Sequence, residues 1–233
     1  MRAYLSILLL WGIAVISGAA YAQDTVKVEH DAYTTVFVNS SHVPILVTYT
    51  LYSYSFDCDQ TQRLARTNNF KADPDVSGTA LGKDYDHSGY DQGHCMSAQD
   101  NICDSIAMAE CFYYTNMIPQ APGLNRGIWK VLETDERDLA AKYDSVMVYV
   151  GWFGTDKTIG PDKVVVPEYC WKVIYIPEAH EWDYYIFPNR KCDGTPARYM
   201  DTLHEKTWVN WTAEQKKWML YILAEGTRKN SRF

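Results

Sequence analysis

Four side chains in the middle of the sequence have types and spacings that would activate water beside a hard metal ion. His94 follows Gly93, two asparagines follow at Asn116 and Asn125, and Glu133 comes eight residues after the second asparagine. A neutral imidazole accepts a proton from water near neutral pH. One amide oxygen with a carboxylate nearby suits Mg²⁺, which keeps most of its bound waters. The set therefore predicts a metal-dependent phosphodiesterase.

Each of these residues also has an ordinary structural explanation when it is taken alone. A single histidine is more often structural, an asparagine commonly caps a helix or forms a turn, and a glutamate is often a solvated charge. Next to His94, Gly93 would allow close backbone approach, and Asp84, Asp86 and Asp91 would offer partners to the second ring nitrogen. Composition and spacing do not exclude the structural explanations.

A long amphipathic helix is predicted to carry two of the candidate residues. Between residues 124 and 143 apolar side chains return at three- and four-residue steps, and charged residues fill the other face. Asn125 and Glu133 would then project toward the same side, about 12 Å apart along the axis. A second helix is predicted near the C-terminus, where Thr212 and Gln215 have the spacing of a capping box.

The other elements are predicted to be strands. Five segments are rich in β-branched and aromatic residues and come mostly in a run, which favours antiparallel pairing and an α+β fold with a central antiparallel sheet flanked by helices. The many Trp and Tyr residues alternate within these segments, which is typical of core packing; a stacking platform for bases or sugars is the alternative. The predicted strands are residues 33–38, 43–54, 146–153, 170–176 and 182–187.

The N-terminal segment predicts export. Arg2 is the only charge before an apolar run at residues 7–16, and a small-x-small cleavage site at residues 20–22 precedes Gln23. The run is shorter than the roughly 20 residues of a membrane span, although an uncleaved anchor is the alternative. We expect a signal peptide at residues 1–22 and one domain at 23–233, with the mature protein periplasmic or secreted and not bound to a membrane.

All six cysteines lie after the predicted signal peptide, where disulfides persist. Sequence alone does not decide the pairing. Cys170 and Cys192 flank two adjacent predicted strands, which favours that pair, whereas a helix at residues 103–111 would keep Cys103 from reaching Cys111. A zinc site is the competing interpretation, but close Cys-x-x-Cys spacing is absent from the sequence.

The formal net charge is −7, and removal of Arg2 with the signal peptide would make it −8. Proteins that bind nucleic acid by general electrostatics are normally basic, so any phosphate contact in this chain must be local. Two groups of positive residues are candidates for such contact, and solvated surface charge is the alternative for both. They are Arg63, Arg66 and Lys71, and Arg126 with Lys130.

Taken together, three ordered segments resemble the DNA/RNA non-specific endonucleases of the His-Me finger (ββα-metal) superfamily. The segments are 85–94 (YDHSGYDQGH), 112–120 (FYYTNMIPQ) and 124–133 (LNRGIWKVLE). The upstream stretch 66–74 is similar to the arginine-bearing region of that family. The resemblance covers about residues 49–187.

The resemblance implies a role for each matching residue. His94 is the general base, Asn125 the direct ligand of Mg²⁺ (or Mn²⁺), and Glu133 the carboxylate that holds a metal-bound water. Arg66 stabilises the transition state, and Asn116 positions the base and phosphate region. Arg66, Gln92 and Arg126 contact substrate. The implied reaction cuts DNA and RNA without strong sequence preference and leaves 5′ phosphates. DNA and RNA are therefore the expected partners, and the sequence leaves open whether an inhibitor protein also binds.

One position departs from the family pattern, which most often has arginine where this chain has Gln92. Glutamine donates a hydrogen bond but carries no charge, so phosphate affinity or rate would be lower. A catalytically weakened module that binds nucleic acid or a partner is therefore the alternative function, and an aromatic carbohydrate-binding protein is a third. Cys95, directly after the predicted base, is expected to form a disulfide that stiffens its loop.

Overall fold

The computed structural model describes residues 24–200. The predicted signal peptide and the predicted C-terminal helix lie outside the described residues, so both remain predictions. Within residues 24–200, no helix is long and apolar enough to cross a bilayer.

An antiparallel sheet of six strands forms the centre of the fold, in the order β1-β2-β3-β6-β7-β8. The predicted strands are confirmed as β2, β3, β6, β7 and β8. Strand β6 runs beyond the predicted end at Phe153. The prediction stopped too early because residues 155–158 are exposed and polar and so lack the apolar pattern of a strand. The bounds are β1 Thr25–Glu29, β2 Thr34–Val38, β3 Val43–Tyr52, β4 Asp91–His94, β5 Met117–Gln120, β6 Ser145–Ile159, β7 Val164–Ile176 and β8 Glu181–Pro188.

Three α-helices lie in the described part of the chain: α1 (Gly82–Tyr85), α2 (Ser105–Glu110) and α3 (Lys130–Tyr143). Helix α3 packs against β6, and its buried residues include members one turn apart, as expected for an amphipathic helix on a sheet. The α+β class predicted from the sequence is confirmed.

A small two-stranded sheet and α3 together form the predicted ββα unit. Strands β4 and β5 pair antiparallel, with Asp91 opposite Gln120 and His94 opposite Met117. The chain then turns into α3. This arrangement places the end of β4 beside the first turns of the helix.

The helix that carries the candidate metal residues differs from its prediction as one continuous element. Residues Leu124–Trp129 form a wide π-helical turn, and Gly127 has non-helical backbone angles, so the regular helix begins only at Lys130. Glycine adopts such angles at little steric cost. The break lies between Asn125 and Glu133, so their relative position is not set by one helical spacing.

Aromatic residues fill both faces of the central sheet, as predicted. On the side of α3, Trp129 and Trp152 belong to the main core together with aliphatic residues of β3, β6 and β7. On the opposite side Phe153 and Trp171 are also buried, and the Phe153 ring stacks on Tyr169 at 4.8 Å between centroids. These rings contribute to stability through burial.

The cysteine predictions are wrong at two points. The disulfide joins Cys58 to Cys103, which ties the loop after β3 to the turn before α2, whereas Cys170 and Cys192 are free thiols. Cys95 is also free and fully buried, so it packs as a small apolar residue rather than stiffening its loop through a disulfide. Spacing along the chain cannot reveal which loops fold over one another, and the pairing depends on that.

Candidate active site

A cavity of about 560 Å³ opens between the end of β4 and the N-terminal part of α3. It brings together residues that are far apart in the sequence, including most of the predicted site. Its lining residues are Arg66, Gln92, His94, Ser97, Gln99, Asn125, Arg126, Lys130, Glu133 and Arg137.

His94 ends β4 and is only 6% exposed. Its neighbour Gly93 lies against the side chain of Gln120 in β5, and a Cβ atom at position 93 would collide with that side chain. The close approach expected at Gly93 is therefore present, beside the end of β4 that carries His94.

The His94 ring is held by a backbone group rather than by a carboxylate. The backbone of Gln92 hydrogen-bonds the ring, and Nε2 is buried without a hydrogen-bond partner in the described residues, which assigns the bond to Nδ1. The expected partners lie elsewhere: Asp91 binds Asn125 and Arg126, and Asp84 accepts backbone N–H groups. An imidazole that donates from Nδ1 presents the lone pair of Nε2.

Burial of the ring and, to a smaller extent, the positive charge of Arg66 lower the pKa of His94 to about 3, although the hydrogen bond to the Gln92 backbone opposes them. The rings of Phe70 and Phe112 meet the imidazole edge-on, with centroids 5.6 and 5.1 Å away. These apolar walls explain the cost of charging the ring. His94 is consequently neutral at physiological pH.

Arg66 reaches the cavity from the segment between β3 and α1. Its guanidinium lies over the Phe112 ring at 5.1 Å from the centroid, and its Nε donates to Asn68 Oδ1 at 2.6 Å. The aromatic face and the amide orient the guanidinium and leave its terminal nitrogens for an anion.

Asp91 connects β4, the strand that carries His94, to the wide turn before α3. Its Oδ2 accepts hydrogen bonds from Asn125 Nδ2 at 2.9 Å and from Arg126 Nε at 2.8 Å, and its Oδ1 accepts from Arg126 Nη2 at 2.6 Å. The positive guanidinium and the amide hold the pKa of Asp91 below its usual range against the effect of burial. Because Asn125 uses its nitrogen here, Oδ1 is the atom left for a metal ion.

Glu133 lies one turn into α3 and keeps partial exposure toward the cavity. The surrounding protein atoms raise its pKa, and the positive charges of Lys172 and Arg137 oppose that rise. One amide oxygen at Asn125 and one carboxylate at Glu133, both on one cavity wall, fit a Mg²⁺ ion that keeps most of its waters. Within residues 24–200, no group of three His, Cys, Asp or Glu side chains is arranged to hold a metal ion.

Asn116 does not line the cavity. It is fully buried, its Oδ1 accepts from the Met96 N–H at 2.9 Å, and its Nδ2 donates to the carbonyls of Met96 and Cys111 at 2.9 and 2.8 Å. The two bonds to Met96 fix the chain just after His94, and the bond to Cys111 ties the same side chain to the end of α2. Asn116 therefore holds the segment that follows His94 and is not one of the residues that line the cavity.

Gln92, at the position where the family most often has arginine, does line the cavity. Its Nε2 donates to the hydroxyl of Tyr114 at 3.2 Å. The side chain is thus held by a neutral partner and adds no positive charge.

Three further polar residues in the cavity were missed by the sequence analysis: Ser97, Gln99 and Arg137. Arg137 Nη1 donates to Asp100 Oδ1 at 2.8 Å, and Asp100 is fully buried. The spacing of Arg137, four residues after Glu133 on α3, was a usable signal, because such residues share a helix face.

Several known proteins are similar to this chain. The family model for DNA/RNA non-specific endonucleases matches residues 15–218. The chain is 36% identical to the mitochondrial nuclease EXOG of Xenopus laevis over 123 residues, which are 47% of this chain and 34% of that protein. It is 33% identical over 172 residues to the mitochondrial nuclease 1 of Schizosaccharomyces pombe, covering 66% of this chain and 52% of that protein.

A solved structure shares the fold. A chain in the crystal structure of an EndoG/EndoGI complex superposes with a TM-score of 0.71 and 26% identity, covering 79% of this chain and 82% of that one. This chain spans about a third to a half of the length of the two nucleases named above.

Proposed function

We propose that this protein hydrolyses phosphodiester bonds in DNA and RNA with little sequence preference. The premise is that the chain belongs to the DNA/RNA non-specific endonuclease family, whose model matches residues 15–218. One observation carries the proposal: the buried Nε2 of His94 has no partner in the described residues, and His94 lines the same cavity as Asn125 and Glu133. An unpaired buried acceptor costs free energy, so its presence at a cavity wall points to a ligand or water that completes it.

His94 acts as the general base. Its Nδ1–H is held by the Gln92 backbone, so Nε2 accepts the proton of the attacking water. A pKa of about 3 keeps the ring unprotonated in the free enzyme. A bound phosphate places negative charge beside the ring and raises this pKa, which makes Nε2 a better proton acceptor when substrate is present.

Positive residues at the cavity hold the substrate backbone. Arg126 is paired with Asp91, whereas no ion pair in residues 24–200 involves Arg66 or Lys130, so these two are available for phosphates. Phosphate contacts position a nucleic acid but carry no sequence information. An acidic chain with a local positive cavity therefore supports cleavage without strong sequence preference.

The residues present fit a divalent metal ion, which we propose is Mg²⁺, with Mn²⁺ as the substitute. Asn125 Oδ1 would hold it directly and Glu133 through water. When bound, such an ion neutralises the scissile phosphate and stabilises the departing 3′ oxygen, so that the products carry 5′ phosphates. Asp91 fixes the side chain of Asn125 for that task.

We further propose that the protein is exported to the periplasm or medium after removal of residues 1–22. The apolar N-terminal run and the Cys58–Cys103 disulfide support this location, because disulfides persist in oxidising compartments. The nucleases named above are mitochondrial, which makes import into an organelle the alternative. N-terminal sequencing of the mature protein distinguishes a start at Gln23 from a different processing site.

Plasmid nicking tests the proposed activity. The wild-type protein should convert supercoiled DNA in Mg²⁺ and stop in EDTA, and His94→Ala should lose cutting while keeping its circular dichroism spectrum. Asn125→Ala should lose activity or require more Mg²⁺, and His87→Ala, which changes an exposed histidine outside the cavity, serves as control. Metal-independent cutting by the His94 variant would refute the mechanism, and binding without cutting by the wild type would favour the weakened module.

A further inference from the structure

A fully buried ion pair lies directly behind the cavity. Lys172 of β7 places Nζ 2.8 Å from Glu136 Oε2 of α3, and both side chains have zero exposure, which holds for no other ion pair in residues 24–200. Burying two charges costs several kcal/mol, and an apolar pair of similar volume is often at least as stable. Stability alone therefore gives a weak reason for this pair.

The pair contacts the residue that holds the backbone of the base. Lys172 Nζ lies 4.8 Å from the centroid of the Trp129 ring, and Trp129 is itself fully buried. The indole Nε1–H of Trp129 donates to the carbonyl oxygen of His94 at 3.3 Å. The ammonium group of Lys172 thus packs against the Trp129 ring, and that ring in turn binds the backbone of His94 at the end of β4.

The same pair also anchors the carboxylate wall of the cavity. Glu136 lies three residues after Glu133, close to one turn of α3, so fastening it to β7 fixes the turn that carries Glu133. The nearby Arg137 is paired with Asp100, which leaves Lys172 as the cation that compensates Glu136.

We propose that Lys172 is a positioning residue for the nuclease reaction, which sets the distance between the His94 strand end and the Glu133 turn through Trp129 and Glu136. This inference rests on the proposed function. It concerns chemistry rather than substrate binding, because neither Lys172 nor Trp129 lines the cavity.

The test removes the ion pair without leaving a lone buried charge. Lys172→Met combined with Glu136→Gln should fold with a melting temperature close to that of the wild type and bind DNA with KM within about twofold. Its kcat should fall about 10- to 100-fold, since small displacements of catalytic groups have effects of that size. The surface pair Lys83 and Asp162, changed to Met and Asn, should leave kcat unchanged.

A second variant keeps the test decisive if the double variant does not fold. Trp129→Phe preserves an aromatic face for the cation but removes the donor to His94, so kcat should fall while KM is retained. Wild-type kcat in either folded variant would overturn the positioning role. If the wild-type protein and the surface-pair variant themselves do not cut, the proposed function fails instead.

Discussion

The side-chain nitrogen of Asn125 donates a hydrogen bond of 2.9 Å to Oδ2 of Asp91. This contact joins β4, the strand that ends at His94, to the turn that precedes α3. It also decides the orientation of the Asn125 amide, since a carboxylate accepts only from the nitrogen and the oxygen is left toward the cavity. Asp91 thereby holds the proposed metal ligand, Asn125, in a fixed position relative to the strand that carries the proposed general base, His94.

Asp91→Ala should weaken metal binding. Without the acceptor, the Asn125 amide is free to rotate, and loss of such a supporting bond typically lowers metal affinity about 10- to 100-fold. Calorimetric titration with Mn²⁺ measures this directly, without nuclease turnover. Asp162→Ala, which breaks an exposed pair with Lys83, is the control. Equal Mn²⁺ affinity in Asp91→Ala and wild type would remove Asp91 from the metal site.

The buried neutral state of His94 predicts a pH-dependent stability. Its pKa in the folded protein is about 3, below the ordinary 6.5, so between these values the unfolded chain binds a proton that the folded chain excludes. The contribution of the buried neutral ring to the free energy of unfolding is fully present above pH 6.5. It falls by about 1.4 kcal/mol per pH unit as the pH drops toward 3.

Replacing His94 by Gln should therefore flatten the pH dependence. Urea unfolding at several pH values between 6.5 and 4 gives the free energy of unfolding at each pH. The slope of this free energy against pH should be lower in the variant by about 1.4 kcal/mol per pH unit, which corresponds to one proton. His87→Gln, at an exposed position, should keep the wild-type slope. Parallel slopes for wild type and His94→Gln would show that His94 is not buried neutral.

Gln92→Arg should strengthen substrate binding. The substitution adds one positive charge to the cavity wall, so the slope of log affinity for duplex DNA against log salt, measured in EDTA, should steepen by about one. Gln62→Arg adds the same charge at an exposed residue outside the cavity and should have little effect. An unchanged slope for Gln92→Arg would mean that phosphate does not pass this position.

Removal of the disulfide should lower stability but spare the site. Cys58 and Cys103 are separated by 45 residues, and a loop of that size corresponds to about 4 kcal/mol of stabilisation. Urea unfolding of the protein with both changed to Ala measures the loss. Cys192→Ala, which alters a free thiol, should change stability much less. A loss matching that of the control would indicate that the bond does not form.

The sequence by itself determined the elements whose signal is local. Alternating apolar residues marked the strands of the sheet, and the three-to-four-residue repeat marked α3, because each pattern reflects burial of one face. The resemblance of three short segments identified His94, Asn125 and Glu133, and the structure places all three at one cavity.

Only the tertiary structure decided the relations between distant segments. In the folded protein the predicted helix is interrupted at Gly127, and Cys58 forms a disulfide with Cys103. Asn116 is buried in the core, and Lys172 lies behind the cavity. These outcomes depend on which surfaces pack together after long loops close. No local pattern encodes that choice. Lys172 has the same sequence letter as an exposed lysine, and only the folded structure shows that its charge is buried and therefore requires a charged partner.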